Sequence, residues 1–138
     1  MKINVILDND SKMPTKAHNT DAGFDLYAPC SVSIKPHNSA FVDTGVHFEI
    51  PEGYVGMVKS KSGLNRNCGI NVEGVIDAGY TGSVGLKLYN HSDSPVYIEE
   101  GNKITQIVFL PIPDVQLVEV DSFEQTERGD GGFGSTGA

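Results

Sequence analysis

Positive charge is scarce in this sequence. Its 138 residues include only two arginines, Arg66 and Arg128, beside eight lysines, and the formal net charge is −8. Extended nucleic acids are bound mainly through many basic contacts with phosphates, so this composition excludes a nucleic-acid polymer as the main partner. A single small anion stays compatible with it, provided that local donors and a bridging cation offset the charge.

Tryptophan, long apolar runs and closely spaced cysteines are also missing. No apolar run approaches the roughly 18 residues of a membrane span, and the opening MKINVILDND is typical of a strand rather than a signal peptide. We therefore expect a cytoplasmic protein with no membrane partner. Cys30 and Cys68 lack metal-ligand spacing, and we interpret them as ordinary reduced thiols, with a disulfide as the alternative.

The length is typical of one domain, and such a domain folds without a metal or disulfide. Turn signals recur about every 8–12 residues, and no stretch keeps helical periodicity beyond one or two turns. We therefore expect an all-β sandwich or barrel over residues 1–127. The predicted strands are 2–7, 21–28, 31–34, 40–50, 54–60, 72–76, 84–88, 95–99, 103–110 and 115–120, the last at an edge or reaching a neighbour.

Segment 71–90 organises the rest of the chain. Its second apolar run, 84–88, alternates apolar with other residues, which is the period of a half-buried strand. Asp77 and Tyr80 lie in the turn between the runs, where glycines supply unusual backbone conformations. We predict a hairpin whose walls expose backbone donors and acceptors, with a carboxylate and a ring at its mouth. Such a hairpin would form a small-molecule pocket.

Two other polar segments are ambiguous by themselves. Asp25 lies between Phe24 and Leu26, and alone it is most simply a surface or turn-bonding acid. Segment 61–64, Lys-Ser-Gly-Leu, follows a predicted strand and could seat a phosphate, but an ordinary turn is the simpler interpretation.

The last eleven residues, RGDGGFGSTGA, contain five glycines. Such a segment cannot bury enough apolar surface to order itself, which is typical of a disordered terminus. Its arginine, ring and hydroxyls nevertheless suit one nucleotide, because a guanidinium binds phosphate and a ring stacks on a base. We therefore predict that 128–138 is a flexible lid that orders over a bound ligand.

Five short motifs occur in order along nearly the whole chain. They are DAGFDLYA at 21–28, SKSGL at 60–64, GVIDAGYTG at 74–82, GNKITQ at 101–106 and RGDGGFGSTG at 128–137. Together they resemble the motifs of the homotrimeric dUTPases, the deoxyuridine triphosphate nucleotidohydrolases. The resemblance implies a jelly-roll-like β-barrel in a homotrimer. Each active site would then take motifs one, two and four from one chain, motif three from a second and the tail from a third.

The chain departs from the family pattern in two motifs. The second usually has arginine where this chain has Lys61, which keeps the charge but loses the bidentate fork. The fourth usually reads Asp-Arg-Ile-Ala where this chain has Asn102, Lys103, Ile104 and Thr105. We expect the changes at Asn102 and Lys103 to remove an ion pair and to matter mainly for local stability.

The resemblance also implies an activity. It is the hydrolysis of dUTP to dUMP and pyrophosphate by attack of water on the α-phosphorus, which limits uracil in DNA and supplies dUMP for dTMP synthesis. Asp77 would be the general base. Mg²⁺ would be held mainly by the triphosphate, with Asp25 reaching it through water. The other implied substrate contacts are Lys61, Ser62, Gly63, Asn71, Val75, Ile76, Tyr80, Gly85, Gln106, Arg128, Phe133, Gly134, Ser135 and Thr136.

Within this set the resemblance implies separate roles. The hairpin would read uracil mostly through its backbone, and Tyr80 would pack against the deoxyribose. Gln106 and the loop 61–63 would contact the phosphates. Phe133 would stack on the base and Arg128 would bind the γ-phosphate.

Two alternatives stay open at this point. A dCTP deaminase shares the barrel and needs a glutamate facing the base, for which Glu73 is the nearby candidate. A protein that binds dUTP without hydrolysing it, or an enzyme that also switches a regulatory protein partner, is the second alternative.

Overall fold

The computed structural model describes residues 1–137, and its strands form three antiparallel sheets. The elements are β1 (Asn4–Leu7), β2 (Phe24–Tyr27), β3 (Val32–Ile34), β4 (Ser39–Glu49), β5 (Tyr54–Ser60), α1 (Ser62–Cys68), β6 (Ile70–Asn71), β7 (Glu73–Ile76), β8 (Ser83–Asn90), β9 (Val96–Ile98) and β10 (Lys103–Pro111). The strand orders are β1-β4-β8-β6, β2-β10-β5-β7 and β3-β9. The all-β prediction is confirmed, while closure of the sheets into a barrel stays a prediction.

One apolar core joins the three sheets. In β8 the period-two pattern is confirmed, because Val84, Leu86 and Leu88 are buried while Gly85 and Lys87 are exposed. These side chains belong to one cluster with buried residues of the other two sheets. Buried partners from elsewhere in the chain include Leu26, Ile34, Val42, Val58, Ile98, Ile104 and Ile107. Since β8 buries only one face, its other face and its ends remain available for a site.

Strand β10 is central, as predicted, since it pairs with β2 on one side and β5 on the other. It is not fully covered, because Leu110 is exposed, and the strand continues through Pro111.

Two predicted elements differ from the structure of the single chain. Residues 115–120 form no strand, and their side chains are exposed, including Leu117 at 92%. A strand needs a ladder partner, and within residues 1–137 this segment pairs with none, so the edge strand is wrong for the single chain, while a strand that reaches a neighbour stays a prediction. Segment 61–64 is not a simple turn either, because Ser62 begins helix α1, which ends at Cys68 and is capped by Gly69 in the left-handed conformation.

Candidate functional site

In the predicted hairpin over 71–90, strands β7 and β8 belong to different sheets and do not pair with each other. We call these two strands and the turn between them the fork. Strand β7 pairs with β5 at the edge of one sheet, whereas β8 pairs with β4 in another. The prediction that they pair as a hairpin is therefore wrong. The prediction that they expose backbone donors and acceptors is right for a different reason. β7 is an edge strand, and β6 meets β8 only at Tyr89 and Asn90.

The mouth of the fork is a cavity of about 350 Å³. It brings together five residues expected at the substrate site, and the structure adds three that the sequence did not indicate. The expected residues are Val75, Ile76, Asp77, Tyr80 and Gly85, and the additional ones are Phe41, Asp43 and Ser83. Asp77 is exposed immediately after β7, so its carboxylate lies at the open end of the fork.

The turn between β7 and β8 is closed by Tyr80. Its backbone N–H donates to the Asp77 carbonyl at 3.2 Å, and its hydroxyl donates to the Ser83 carbonyl at 3.0 Å. The ring lies close over Gly82, where an added Cβ would come within 2.4 Å of the hydroxyl oxygen. Glycine at that position therefore lets the ring fold back onto its own turn and fixes one wall of the cavity.

Phe41 forms another wall because Gly85 has no side chain. An added Cβ at Gly85 would lie 2.4 Å from Phe41 Cζ, so the ring occupies the space that a side chain would fill. Phe41 is 68% exposed on β4 and stands opposite Lys87 in the register. In the sequence, the alternation of residues within β4 is the one signal that Phe41 faces outward. That alternation does not indicate that Phe41 contacts a ligand.

Asp43 and Ser83 connect β4 to the end of the turn. The Ser83 hydroxyl donates to the Asp43 carboxylate, which also accepts the Gly45 N–H at 3.1 Å. These hydrogen bonds, led by that of Ser83, hold the pKa of Asp43 below its usual value. Asp43 therefore stays ionised and anchors the start of β8.

Asp25 is not a surface acid, and that interpretation is wrong. It lies on β2, is 5% exposed, and each of its carboxylate oxygens is paired with a lysine. Lys61 donates to Oδ1, and Lys103 lies 2.8 Å from Oδ2. Lys103 therefore has an ion pair with Asp25, whereas the expected effect of the changes at Asn102 and Lys103 stays a prediction. We call these three residues the Asp25 cluster.

The lysines decide the charge of Asp25. Burial raises the pKa of the Asp25 carboxyl and is the largest single influence, but hydrogen bonds and charge from Lys103 and Lys61 together lower it below its usual value. The same contact with Asp25 raises the pKa of Lys103. The cluster therefore carries two positive charges and one negative charge, which is a favourable setting for an anion.

The donor set does not make a metal site by itself. Within residues 1–137 no three His, Cys, Asp or Glu side chains come together to hold an ion. Asp25 could still accept a hydrogen bond from a metal-bound water, because each carboxylate oxygen has a second lone pair. The residues thus fit a cation that arrives with its own oxygen ligands, such as one chelated by a polyphosphate.

Gln106 and the start of α1 lie next to the cluster. Gln106 stands opposite Asp25 in the β2–β10 register, and its amide donates to the Ser60 carbonyl at 3.2 Å. Lys61 is the residue before α1, and Ser62 and Gly63 are exposed in its first turn. Motifs one, two and four are therefore brought together within one chain.

Neither Asn71 nor the tail lines the cavity. The Asn71 side chain accepts a hydrogen bond from the Ser60 hydroxyl at 2.7 Å and does not line the cavity. In the tail, Arg128 Nε donates to the Gly131 carbonyl at 2.9 Å, and Phe133 is fully exposed. Gly134, Ser135 and Thr136 are exposed too, and Ala138 of the predicted lid lies outside the described residues.

The Asp25 cluster and Asp77 are well separated in one chain. The register runs from Asp25 across β10 and β5 to Glu73 on β7, and Asp77 lies four residues further along. With about 4.8 Å between strands and about 3.3 Å per residue, the Cα atoms of the two residues are roughly 20 Å apart. The two carboxylates cannot act on the same phosphorus from within one chain.

Comparison with known proteins identifies the class. The family model described as dUTPase matches residues 9–137. The deoxyuridine 5′-triphosphate nucleotidohydrolase of Clostridium tetani is 41% identical over 135 residues, covering 96% of this chain and 93% of the relative. That of Gloeobacter violaceus is 45% identical over 130 residues, covering 91% and 88%. The chain belongs to the dUTPase family, and it is therefore a hydrolase of the dUTP diphosphatase class.

Solved structures agree with this assignment. The dUTPase of Staphylococcus bacteriophage 80alpha with dUpNHpp superposes with a TM-score of 0.93 at 33% identity and covers 99% of both chains. A variant dUTPase from phage phi11 of S. aureus, described with a structural Mg(II) ion, has a TM-score of 0.83 at 30% identity, covering 91% of this chain and 100% of its own.

Proposed function

We propose that this protein hydrolyses dUTP to dUMP and pyrophosphate, with Asp77 as the general base at the mouth of the β7–β8 fork. The observation that carries the proposal is the fork itself. Two strands from different sheets leave their facing edges unpaired, and an exposed carboxylate stands where they separate. Such a gap accommodates a flat ring that makes backbone hydrogen bonds on both sides. A relative binds the substrate analogue dUpNHpp, which fits this assignment.

The fork would select the base. Unpaired backbone groups of β7 and β8, near Val75, Ile76 and Gly85, present a fixed pattern of donors and acceptors to the edge of uracil. Cytosine has that pattern inverted at two positions and would leave buried polar groups unpaired. Such mismatches are rejected by factors of up to about 10⁴ or more. Asn71, tied to Ser60, would support the far end of this edge.

The sugar would be selected by the turn. The Tyr80 ring, folded over Gly82, forms a flat wall beside Asp77. A deoxyribose can pack against this wall, whereas a 2′-hydroxyl would meet it without a hydrogen-bond partner. Phe41 narrows the opposite side of the cavity and leaves less room for a 5-methyl group.

Asp77 would orient the attacking water and accept its proton as the new P–O bond forms. An exposed carboxylate at a pocket mouth can reach water, and positioned bases of this kind typically contribute about 10²–10⁴-fold. The products are dUMP and pyrophosphate, so one water is consumed and the bond broken joins the α-phosphorus to its bridging oxygen.

The phosphates would be held by the Asp25 cluster and the start of α1. Lys61 and Lys103 supply positive charge, Ser62 and Gly63 supply a hydroxyl and exposed N–H groups, and Gln106 supplies an amide. Mg²⁺ bound to the triphosphate would neutralise its charge and polarise the α-phosphorus. Asp25 would orient water in that metal's shell, which requires the lysines to share or release its oxygens.

The roughly 20 Å between Asp25 and Asp77 supports a site shared between copies of the chain. If one copy supplies Asp77 and the fork while a second supplies the Asp25 cluster, both carboxylates can reach one nucleotide. The tail 128–137 would then be the lid, with Phe133 over the base, Arg128 on the γ-phosphate, and Gly134, Ser135 and Thr136 near the phosphates. We infer a homotrimer, and sedimentation of the purified protein would test it.

The decisive measurement is pyrophosphate release from dUTP, dCTP, dTTP and UTP with Mg²⁺. We expect turnover of dUTP alone, and its loss when Mg²⁺ is chelated. Comparable turnover of UTP would contradict the Tyr80 assignment, and deamination of dCTP would contradict the reaction. Against a deaminase, Glu73 is ion-paired with Lys59 at 2.9 Å and does not line the cavity.

Two earlier expectations stay predictions. A regulatory partner is not indicated by any residue described above, although the 80alpha neighbour is described as controlling transfer of virulence genes. Cytoplasmic location is likewise untested. Among residues 1–137 there is no helix with the length and apolar character needed to span a membrane.

A further inference from the structure

His47 makes two contacts that a neutral imidazole cannot both satisfy. Its Nδ1 lies 2.7 Å from the Thr81 carbonyl oxygen, and its Nε2 lies 3.1 Å from a carboxylate oxygen of Asp8. Both partners are acceptors at neutral pH. A neutral ring has one N–H and would leave one contact without a proton, whereas the imidazolium donates to both. The geometry is therefore that of a protonated histidine.

The backbone of β4 is shaped to bring these groups together. The β4–β8 register shifts between Asp43 and His47, and Gly45 within this bulge has φ of +63°. A Cβ at Gly45 would lie 2.0 Å from Ser11 Oγ, so only glycine lets the segment after β1 approach. The Asp8 N–H donates to the Gly45 carbonyl at 2.8 Å, which fixes Asp8 beside the ring.

Thr81 belongs to the turn that carries Asp77 and Tyr80. Inside the turn, Tyr80 supplies the closing hydrogen bonds described above, and Ser83 is tied to β4 at its end. His47 stands opposite Ser83 in the register and adds a tie from β4 to the middle of the turn. The contacts from Asp8 to His47 and from His47 to Thr81 thus connect the β1 side of the sheet to the cavity wall.

We propose that His47, as the imidazolium, is a positioning residue that holds the Asp77–Ser83 turn in its hydrolytic geometry. This inference rests on the proposed function, because it concerns the placement of the general base. It also adds a residue outside the five family motifs to the machinery of the site. We call the two contacts of His47, with Asp8 and with Thr81, the clamp. The clamp acts through Thr81 and does not require His47 to touch the nucleotide.

The surroundings of the ring favour the charged form. The hydrogen bond to Thr81 and that to Asp8 raise the pKa of His47, the charges of Asp8 and Asp43 add to this, and desolvation opposes it. Glu49 of the same strand lines the adjacent groove and is the third carboxylate on this side. The neighbours opposite in the register, Ile6 on β1 and Ser83 on β8, do not titrate in this range.

The sign of the pH dependence follows from the raised pKa. The clamp is complete below the ordinary histidine value of about 6.5 and is lost as the pH rises through the higher folded value. His47 therefore adds a descending limb to kcat on the alkaline side of its pKa.

The test compares kcat and KM against pH for wild type and His47→Gln. Glutamine can donate one hydrogen bond but does not titrate. We expect wild-type kcat to fall about two- to tenfold as the pH rises through the histidine titration, which is the equivalent of one lost hydrogen bond. Over the same pH range the kcat of His47→Gln should stay constant, and at acidic pH it should be lower than the wild-type kcat. Asp8→Asn should move the descending limb to lower pH. His37→Gln, which alters a surface pair with Asp93, is the matched control and should leave the profile unchanged.

A second readout does not depend on activity. In ¹⁵N NMR spectra, the ring nitrogens of His47 and the backbone amides of Tyr80, Thr81 and Gly82 should titrate together in wild type, and the amides should not titrate in His47→Gln. The clamp would be contradicted if kcat had the same pH profile in wild type and in His47→Gln. It would also be contradicted if the amide signals of the turn did not change as the His47 ring titrates. If wild type releases no pyrophosphate from dUTP, the proposed function fails, and the NMR titration still decides the clamp.

Discussion

Asp77 and Asp25 are both proposed to act in the same reaction, yet the chain places them in opposite environments. Asp77 is exposed at the open end of the fork, whereas Asp25 is 5% exposed between two lysines. A base must keep lone pairs free for water, while a group that orients cations and phosphates must be fixed. We propose that solvent access separates the chemical role of Asp77 from the organising role of Asp25, although both side chains are carboxylates.

The largest expected effect concerns the exposed member of the pair. Asp77→Asn keeps the shape of the side chain but removes its basicity, so kcat should fall by about 10²-fold or more. Binding of a non-hydrolysable dUTP analogue, measured by calorimetry, should stay near the wild-type affinity. Unchanged turnover would show that another group activates the water.

The tail provides the next largest effect. Truncation after Glu127 removes no residue of the buried core, so the melting temperature should not change. Turnover should nevertheless drop strongly, because the lid groups Arg128 and Phe133 are lost. Full-rate hydrolysis by the truncated protein would exclude the lid. A matched Phe133→Ala variant should lose about 1–3 kcal/mol of nucleotide affinity, the usual contribution of base stacking.

The smallest effect, and the one that concerns the buried member, is on stability. Asp25→Asn leaves Lys61 and Lys103 without their partner, and the metal-free protein should lose about 1–3 kcal/mol of unfolding free energy at pH 7. The native carboxyl has a lowered pKa, so its contribution exists above the ordinary aspartate value of about 3.9 and disappears as the pH falls through the folded value. Urea denaturation should therefore find the two proteins converging in acid. If the difference in unfolding free energy between the two proteins were the same at all pH values, the contribution of Asp25 to stability would come from packing and not from its charge.

Local pattern was enough to predict the strands but not how they assemble. The bounds of β5 were predicted correctly, and the alternation in β8 gave the correct buried face, because one face of each strand packs on the core. The separation of β7 and β8 into different sheets depends on which strands they pair with, and a 20-residue segment contains no information about those partners. Segment 115–120 resembles a strand in its apolar residues, but within residues 1–137 no other strand pairs with it.

The sequence was enough to predict which motif residues form the site, but not which other residues surround and contact them. Asp77, Tyr80 and Gly85 meet in one cavity as expected, since they lie close together along the chain. The burial of Asp25 and its contact with Lys103 could not be predicted, because they depend on the β2–β10 pairing. Phe41 and His47 were missed because neither belongs to a motif, and both lie on β4, which pairs with β8.

The fork also has a consequence outside catalysis. The backbone groups of β7 that would read a base are the same groups that another extended chain could pair with, and unprotected edges of this kind promote aggregation. β7 has only four residues, and it carries the charged Glu73 at its start. A short, charged edge discourages strand addition while leaving room for a ring, so solubility and recognition constrain the same few atoms.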